Sequence, residues 1–147
     1  MKPRRRLSAN DSALLEALVP VGILVSPDEM MKLVPIDARV VDGHVGPSAE
    51  SLTAQHDLVF WFDAATGSLP INRMATLNLH AVSNFSIRTV PLLRGAVLIT
   101  GMCAGHPAGL SSAQIKALRN EHEPAWLAGW LMHIRIEHDT RRRRRHR

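Results

Sequence analysis

Asn72 and Arg73 form a tight polar pair just after the apolar run and turn of residues 58–67 in this 147-residue chain. They stand in the stretch Leu69-Pro70-Ile71-Asn72-Arg73-Met74-Ala75. A guanidinium fork beside a carboxamide can hold a carboxylate, a phosphate or a backbone carbonyl. The commoner use of such a pair is structural: the Arg pairs with an acidic neighbour and the Asn ties down a turn. Both uses are open from sequence. Asp63 and His80 carry the groups of an acid–base site with Arg73, but chain spacing does not bring them together. Cys103-Ala104-Gly105-His106 has the spacing of half a zinc site, and no second pair matches it. His133 and His138 are five apart, which places them on different faces of a helix. His44 lies in a loop between glycines, where a solvated histidine is the commoner case. The chain has neither a P-loop nor a dinucleotide fingerprint. Ser111 and Ser112 lack the setting of a nucleophile elbow. The residues therefore point to no metal and no cofactor, and they lean away from an enzyme.

Arginine gives the stronger signal. Lys2, Arg4, Arg5 and Arg6 open the chain, and Arg141, Arg142, Arg143, Arg144, Arg145 and Arg147 close it. These are 10 of the 18 basic residues, and all 13 acidic residues lie between them. The body thus holds eight basic against thirteen acidic residues, a formal charge of −5 between ends that carry +10. An acidic body repels polyanions at long range, so affinity for them must reside in the ends. Arginine stays charged and grips phosphate with two parallel bonds. Counterion release then supplies affinity with little choice of sequence. Arg4, Arg5, Arg6, Arg141, Arg142, Arg143, Arg144, Arg145 and Arg147 are the expected contacts to nucleic acid, RNA or DNA, or to a ribonucleoprotein. No aromatic residue lies within the closing run, so base stacking is not expected from it.

The elements that must carry these groups can be read in order. Residues 1–10 read as a disordered basic arm. Residues 11–138 read as a single domain, and 139–147 as an Arg-rich tail. Asn10 or Ser12 caps a short helix ending before Pro20. Val21–Val25 and Lys32–Ile36 flank Ser26-Pro27-Asp28-Glu29 and predict a hairpin, with Pro35 marking an edge strand. Between Asp37 and Gln55 the signals are weak: a loop around Gly43, Gly46 and Pro47, then one helical turn over Ser48–Leu52. Leu58–Phe62 is an unbroken apolar run of strand length. Asn72–Val82 fits a helix with Met74, Leu77 and Ala81 on one face, or a strand; Ala75, Leu77 and Leu79 are good helix formers. Ile87–Leu93 reads as a short strand interrupted by Pro91. Gly95–Gly101 is a buried strand bounded by glycines.

Ser111-Ser112-Ala113-Gln114 is a capping box that starts a helix reaching about His122. Pro124 permits a new helix start. The helix over 125–138 is apolar around much of its girth and continues into the Arg run, extending there on an anionic partner. Trp126 and Trp130 share one side of it, and Leu131 and Ile134 the next. Trp126, Trp130, Leu131 and Ile134 form the alternative interface, docking a host protein or a second copy of the chain. A small enzyme using the Asn72–Arg73 loop is the third reading. One cysteine excludes an internal disulfide and fits a reducing, cytoplasmic setting. No apolar run reaches the length needed to span a bilayer. The basic–apolar order of the first 25 residues mimics a signal peptide, but Glu16 and Pro20 interrupt it.

Six stretches occur in an order that resembles a family. They are Gly22-Ile23-Leu24-Val25, Val34-Pro35-Ile36-Asp37, Val41-Asp42-Gly43-His44-Val45-Gly46, Leu58-Val59-Phe60-Trp61-Phe62-Asp63, Leu69 to Ala75, and Leu93-Arg94-Gly95-Ala96-Val97-Leu98-Ile99-Thr100-Gly101. The family is a small domain of unknown function from actinobacteria, their phages and mobile elements. The similarity spans about residues 20–103. It implies a fold and a phage or mobile-element origin, and no activity. Together the elements predict an α+β domain: a small, mostly antiparallel sheet with the C-terminal helices packed on it, and flexible basic ends.

Overall fold

In the computed structural model the described residues are 19–65, 67–120 and 125–145. Arg4, Arg5 and Arg6, the short helix expected before Pro20, and Arg147 lie outside them. Strands β1 (Val21–Val25) and β2 (Met31–Pro35) form the expected hairpin, with Ile23 opposite Leu33. Its loop closes as Glu29 N donates to Ser26 O at 3.0 Å, with Pro27 presetting the turn. Strands β3 (Ala49–Thr53) and β4 (Val59–Asp63) form a second hairpin, with Leu52 opposite Phe60. Strand β5 (Val97–Cys103) enters between the hairpins, antiparallel to both β1 and β4. The sheet order is β2-β1-β5-β4-β3, and β6 (His106–Ala108) pairs with the far end of β5.

This order explains the apolar runs. β4 and β5 are both interior, as their sequences predict, and β2, which carries Lys32 and Pro35, is an edge. Ile23, Val25, Phe60, Val97 and Ile99 point to one face; Leu24, Trp61 and Leu98 point to the other. The first face holds the main core. It is closed by Ala75 and Leu79 of α2 (Arg73–Ala81), Leu118 of α3 (Ser112–Asn120) and Met132 of α4 (Ala125–Arg145), with Val82, Val90 and Leu93 from the connections. A smaller cluster on the second face gathers Leu24, Val34 and Leu98 around Val40 of the short helix α1 (Val40–His44). There Trp61 Nε1 donates to Thr100 Oγ1 at 2.9 Å. The result is an α+β fold, with helices packed on an antiparallel sheet. No helix among the described residues is long and apolar enough to cross a membrane.

The capping box forms as expected: Ser111 N donates to Gln114 Oε1 and Gln114 N donates to Ser111 Oγ, at 2.9 and 3.1 Å. Four expectations change. Residues 48–52 are not a helical turn: 49–53 pair with β4 as an edge strand, and the helix of this region is α1. Ile87–Leu93 is not a strand, because the backbone turns at Ser86, whose carbonyl accepts from Thr89 N and Val90 N. In α2 the fully buried face is Ala75, Thr76, Asn78 and Leu79, while Met74 and Leu77 are half-buried. Its phase is set by the cap at Asn72. Finally, 139–145 is no separate tail but the last turns of α4.

A candidate anion interface on the C-terminal helix

Asn72 is fully buried and its carboxamide is committed to the fold. Its Oδ1 accepts from Ala75 N at 3.1 Å, which caps α2. Its Nδ2 donates to Val25 O and to Gly95 O, each at 2.8 Å. One side chain thus joins the helix start to the end of β1 and to the entry of β5. Thr76 continues the joint: its hydroxyl donates to Asn72 O at 2.8 Å and accepts from Leu93 N at 3.1 Å. Arg73 points elsewhere, to Glu29 Oε1 at 2.8 Å, in a pair whose side chains are 36% and 42% exposed. Ion pairs this exposed contribute under about 1 kcal/mol. Arg73→Ala is therefore expected to lower stability by less than that in urea denaturation; a loss above about 2 kcal/mol would contradict the exposure of the pair.

The neighbouring strap, 93–95, runs beside 70–72. Asn72 N donates to Leu93 O at 2.7 Å and Gly95 N to Pro70 O at 2.9 Å. Gly95 has φ +68, which strains any L side chain, and a Cβ there would lie 2.7 Å from Leu69 Cδ1, so that side chain would have to shift. This strap aims Arg94 across the loop. Its guanidinium donates to Leu69 O at 3.1 Å and to Asp139 Oδ2 at 2.6 Å. Asp139 also accepts from Arg143 Nε at 3.1 Å, and Arg143 Nη1 reaches Gly67 O at 2.6 Å. Further back along α4, Arg135 Nη1 donates to Val90 O at 2.6 Å and to Ile87 O at 3.2 Å. Arg135 and Arg143 thus fasten α4 to loop carbonyls, and Arg94 of the strap holds it through Asp139. The Arg94 and Asp139 side chains are only 14% and 25% exposed, so their bond is stronger than a surface pair. A double-mutant cycle of Arg94→Ala and Asp139→Ala should show a coupling of about 1–3 kcal/mol in chemical denaturation. Additive losses would contradict it.

Two open grooves flank the anchored helix. One, of about 720 Å³, runs between α4 and loop 67–71 and is lined by Arg94, Arg142, Arg143 and Arg144 with Asp139, Ser68 and Thr140. The other, of about 870 Å³, is lined by Arg135, Arg141, Arg142 and Arg145 with His138, Asp139 and Leu92. Each sets four arginines against one aspartate. Arg141, Arg142, Arg144 and Arg145 make no ion pair among the described residues, whereas Arg143 is bound to Asp139. The arrangement offers free guanidinium forks on a rigid helix beside concave surface, chemistry suited to phosphate or carboxylate groups.

The other sequence-predicted groups fall apart or into structural use. His80 Nδ1 lies 2.9 Å from Phe85 O at the far end of α2 from Arg73, and Asp63 Oδ1 accepts from Ala65 N at 2.9 Å. Cys103 and His106 sit opposite each other across the β5–β6 turn, both exposed, and no three potential metal-ligating side chains cluster among the described residues. Of the expected docking residues, Trp130 is 59% exposed, and Leu131 and Ile134 are half-buried. The Trp126 side chain lies outside the described residues. Sequence reasoning missed Arg94, Arg135 and Asp139 as the fasteners. Two signals were available: a lone charge at the entry of a buried strand, and a lone acid opening an arginine run. Comparison with protein-family models, with curated proteins and with solved structures finds no match to this chain, so the functional reading rests on its own residues.

Proposed function

We propose that the chain binds nucleic acid, alone or in a ribonucleoprotein, through the arginine-bearing end of α4. One observation carries this reading. Arg141, Arg142, Arg144 and Arg145 project from a helix held to the body by Asp139 and Arg143, and they line both grooves without an ion pair among the described residues. Charges held on an anchored helix lose less freedom on binding than charges on a loose tail. Arg147 and the opening Arg4, Arg5 and Arg6 add to counterion release in the same reading. A cytoplasmic setting and a phage or mobile-element origin belong to this proposal. The test is fluorescence anisotropy of labelled DNA and RNA across a salt series. Affinity should fall steeply from low to moderate salt and vary little with sequence; binding insensitive to salt would refute it.

The second reading is a protein-docking surface at Trp126–Ile134, favoured by the exposure of Trp130. Self-association or a hetero-complex that survives high salt would support it over the first.

A further inference from the structure

We infer that the outward face of α4 prefers single-stranded over duplex nucleic acid, because Trp130 supplies a stacking platform in line with the arginines. This rests on the nucleic-acid reading above. Met132 of α4 is fully buried in the core, and Ile136 packs against it. Asp139 and Arg143 fasten the same side. Trp130 is two residues from Met132, nearly half a turn away, and is 59% exposed. It therefore faces away from the body. At 3.6 residues per turn, Arg141 and Arg144 return to within roughly 20° and 40° of Trp130. They lie roughly 16 and 21 Å further along the axis. Because α4 is unbroken from Ala125 to Arg145, this alignment is held by the helix itself. An aromatic face and a track of cations on one rigid line is the arrangement that binds single strands: a base stacks on the ring and the phosphates follow the charges. A duplex offers the charges its phosphates but keeps its bases paired.

Charge favours this occupant over a protein. A protein-docking anchor sits at the centre of an apolar patch. Among the described residues, His133 and Glu137 follow Trp130 along α4, exposed and 3.1 Å apart as an i,i+4 pair, with the arginines beyond. Among the described residues of α4, Glu137 is the exposed acid that would oppose a phosphate there, and His133 Nε2 lies 3.1 Å from it.

The test compares full-length protein with Trp130→Ala, Trp130→Phe and the triple variant Arg141→Gln/Arg144→Gln/Arg145→Gln. The readout is anisotropy of a labelled oligothymidylate and of a duplex of equal length. Trp130→Ala should weaken single-strand binding roughly 5- to 100-fold and leave duplex binding unchanged, and Trp130→Phe should restore most of the loss. Because Trp130 is exposed, circular dichroism and the thermal midpoint should be unchanged. Equal losses on both probes, or none on either, would overturn the stacking inference. So would sedimentation showing a dimer that Trp130→Ala dissociates with single-strand affinity intact, which would assign the residue to protein docking. The nucleic-acid reading fails separately, if the triple variant binds both probes as well as the natural chain or if binding by the natural chain is insensitive to salt.

Discussion

Replacing Asn72 with Ala is expected to remove about 2.5–8 kcal/mol of folding stability. Three bonds are lost together. Without the cap, Ala75 N has no acceptor, at a cost of about 0.5–2 kcal/mol. Val25 O and Gly95 O each lose a donor in a region closed to water, at about 1–3 kcal/mol apiece. The total is a large share of the roughly 5–15 kcal/mol that holds a domain of this size. Asn72→Asp makes the argument sharper. It keeps the acceptor for Ala75 N but turns an oxygen toward two carbonyls, so it should be no more stable than the Ala variant. Urea denaturation read by circular dichroism decides. A Asn72→Ala protein within about 1 kcal/mol of the natural chain would mean that the joint between α2, β1 and β5 does not depend on this side chain.

The quadruple variant Arg141→Gln/Arg142→Gln/Arg144→Gln/Arg145→Gln is expected to reduce the slope of log affinity against log salt on duplex DNA by about 3–4. Each phosphate neutralised contributes about 0.9 to that slope, and these four arginines are free of ion pairs among the described residues. Affinity at low salt should fall on the order of 100-fold. Glutamine keeps the helix-forming stem, so the fold should be retained. Arg143→Ala is the contrasting variant. Its guanidinium binds Asp139 and Gly67 O, so it should loosen the end of α4 against loop 67–71 and change the slope by less than about 1. Five adjacent arginines thus divide into one fastener and four free forks. If the quadruple variant keeps the natural slope, the α4 extension is not the interface.

Much of the framework was legible because its signals are local. The unbroken apolar runs at Leu58–Phe62 and Gly95–Gly101 demanded cover on both faces, which an interior strand supplies. Pro27 and Asp28 specified the β1–β2 turn, and Ser111 with Gln114 specified a helix start three residues wide. Residues 125–138 read as a helix from their own apolar pattern despite Gly129, whereas 139–145, read as a tail, are its last turns. Tertiary structure decided the rest. Ala49–Thr53 is mostly exposed and became a strand because β4 offered it an edge to pair with. Arg73 chose Glu29, 44 residues away, and Asn72 chose a carbonyl 47 residues away. Arg143 differs from its neighbours only because the Gly67 carbonyl, 76 residues distant, comes within reach of that one phase of the helix. The same phase turns Trp130 outward. Composition sets how many charges a segment carries. Which of them are bound and which are free depends on the loops that pack against it, and those contacts lie far apart along the chain.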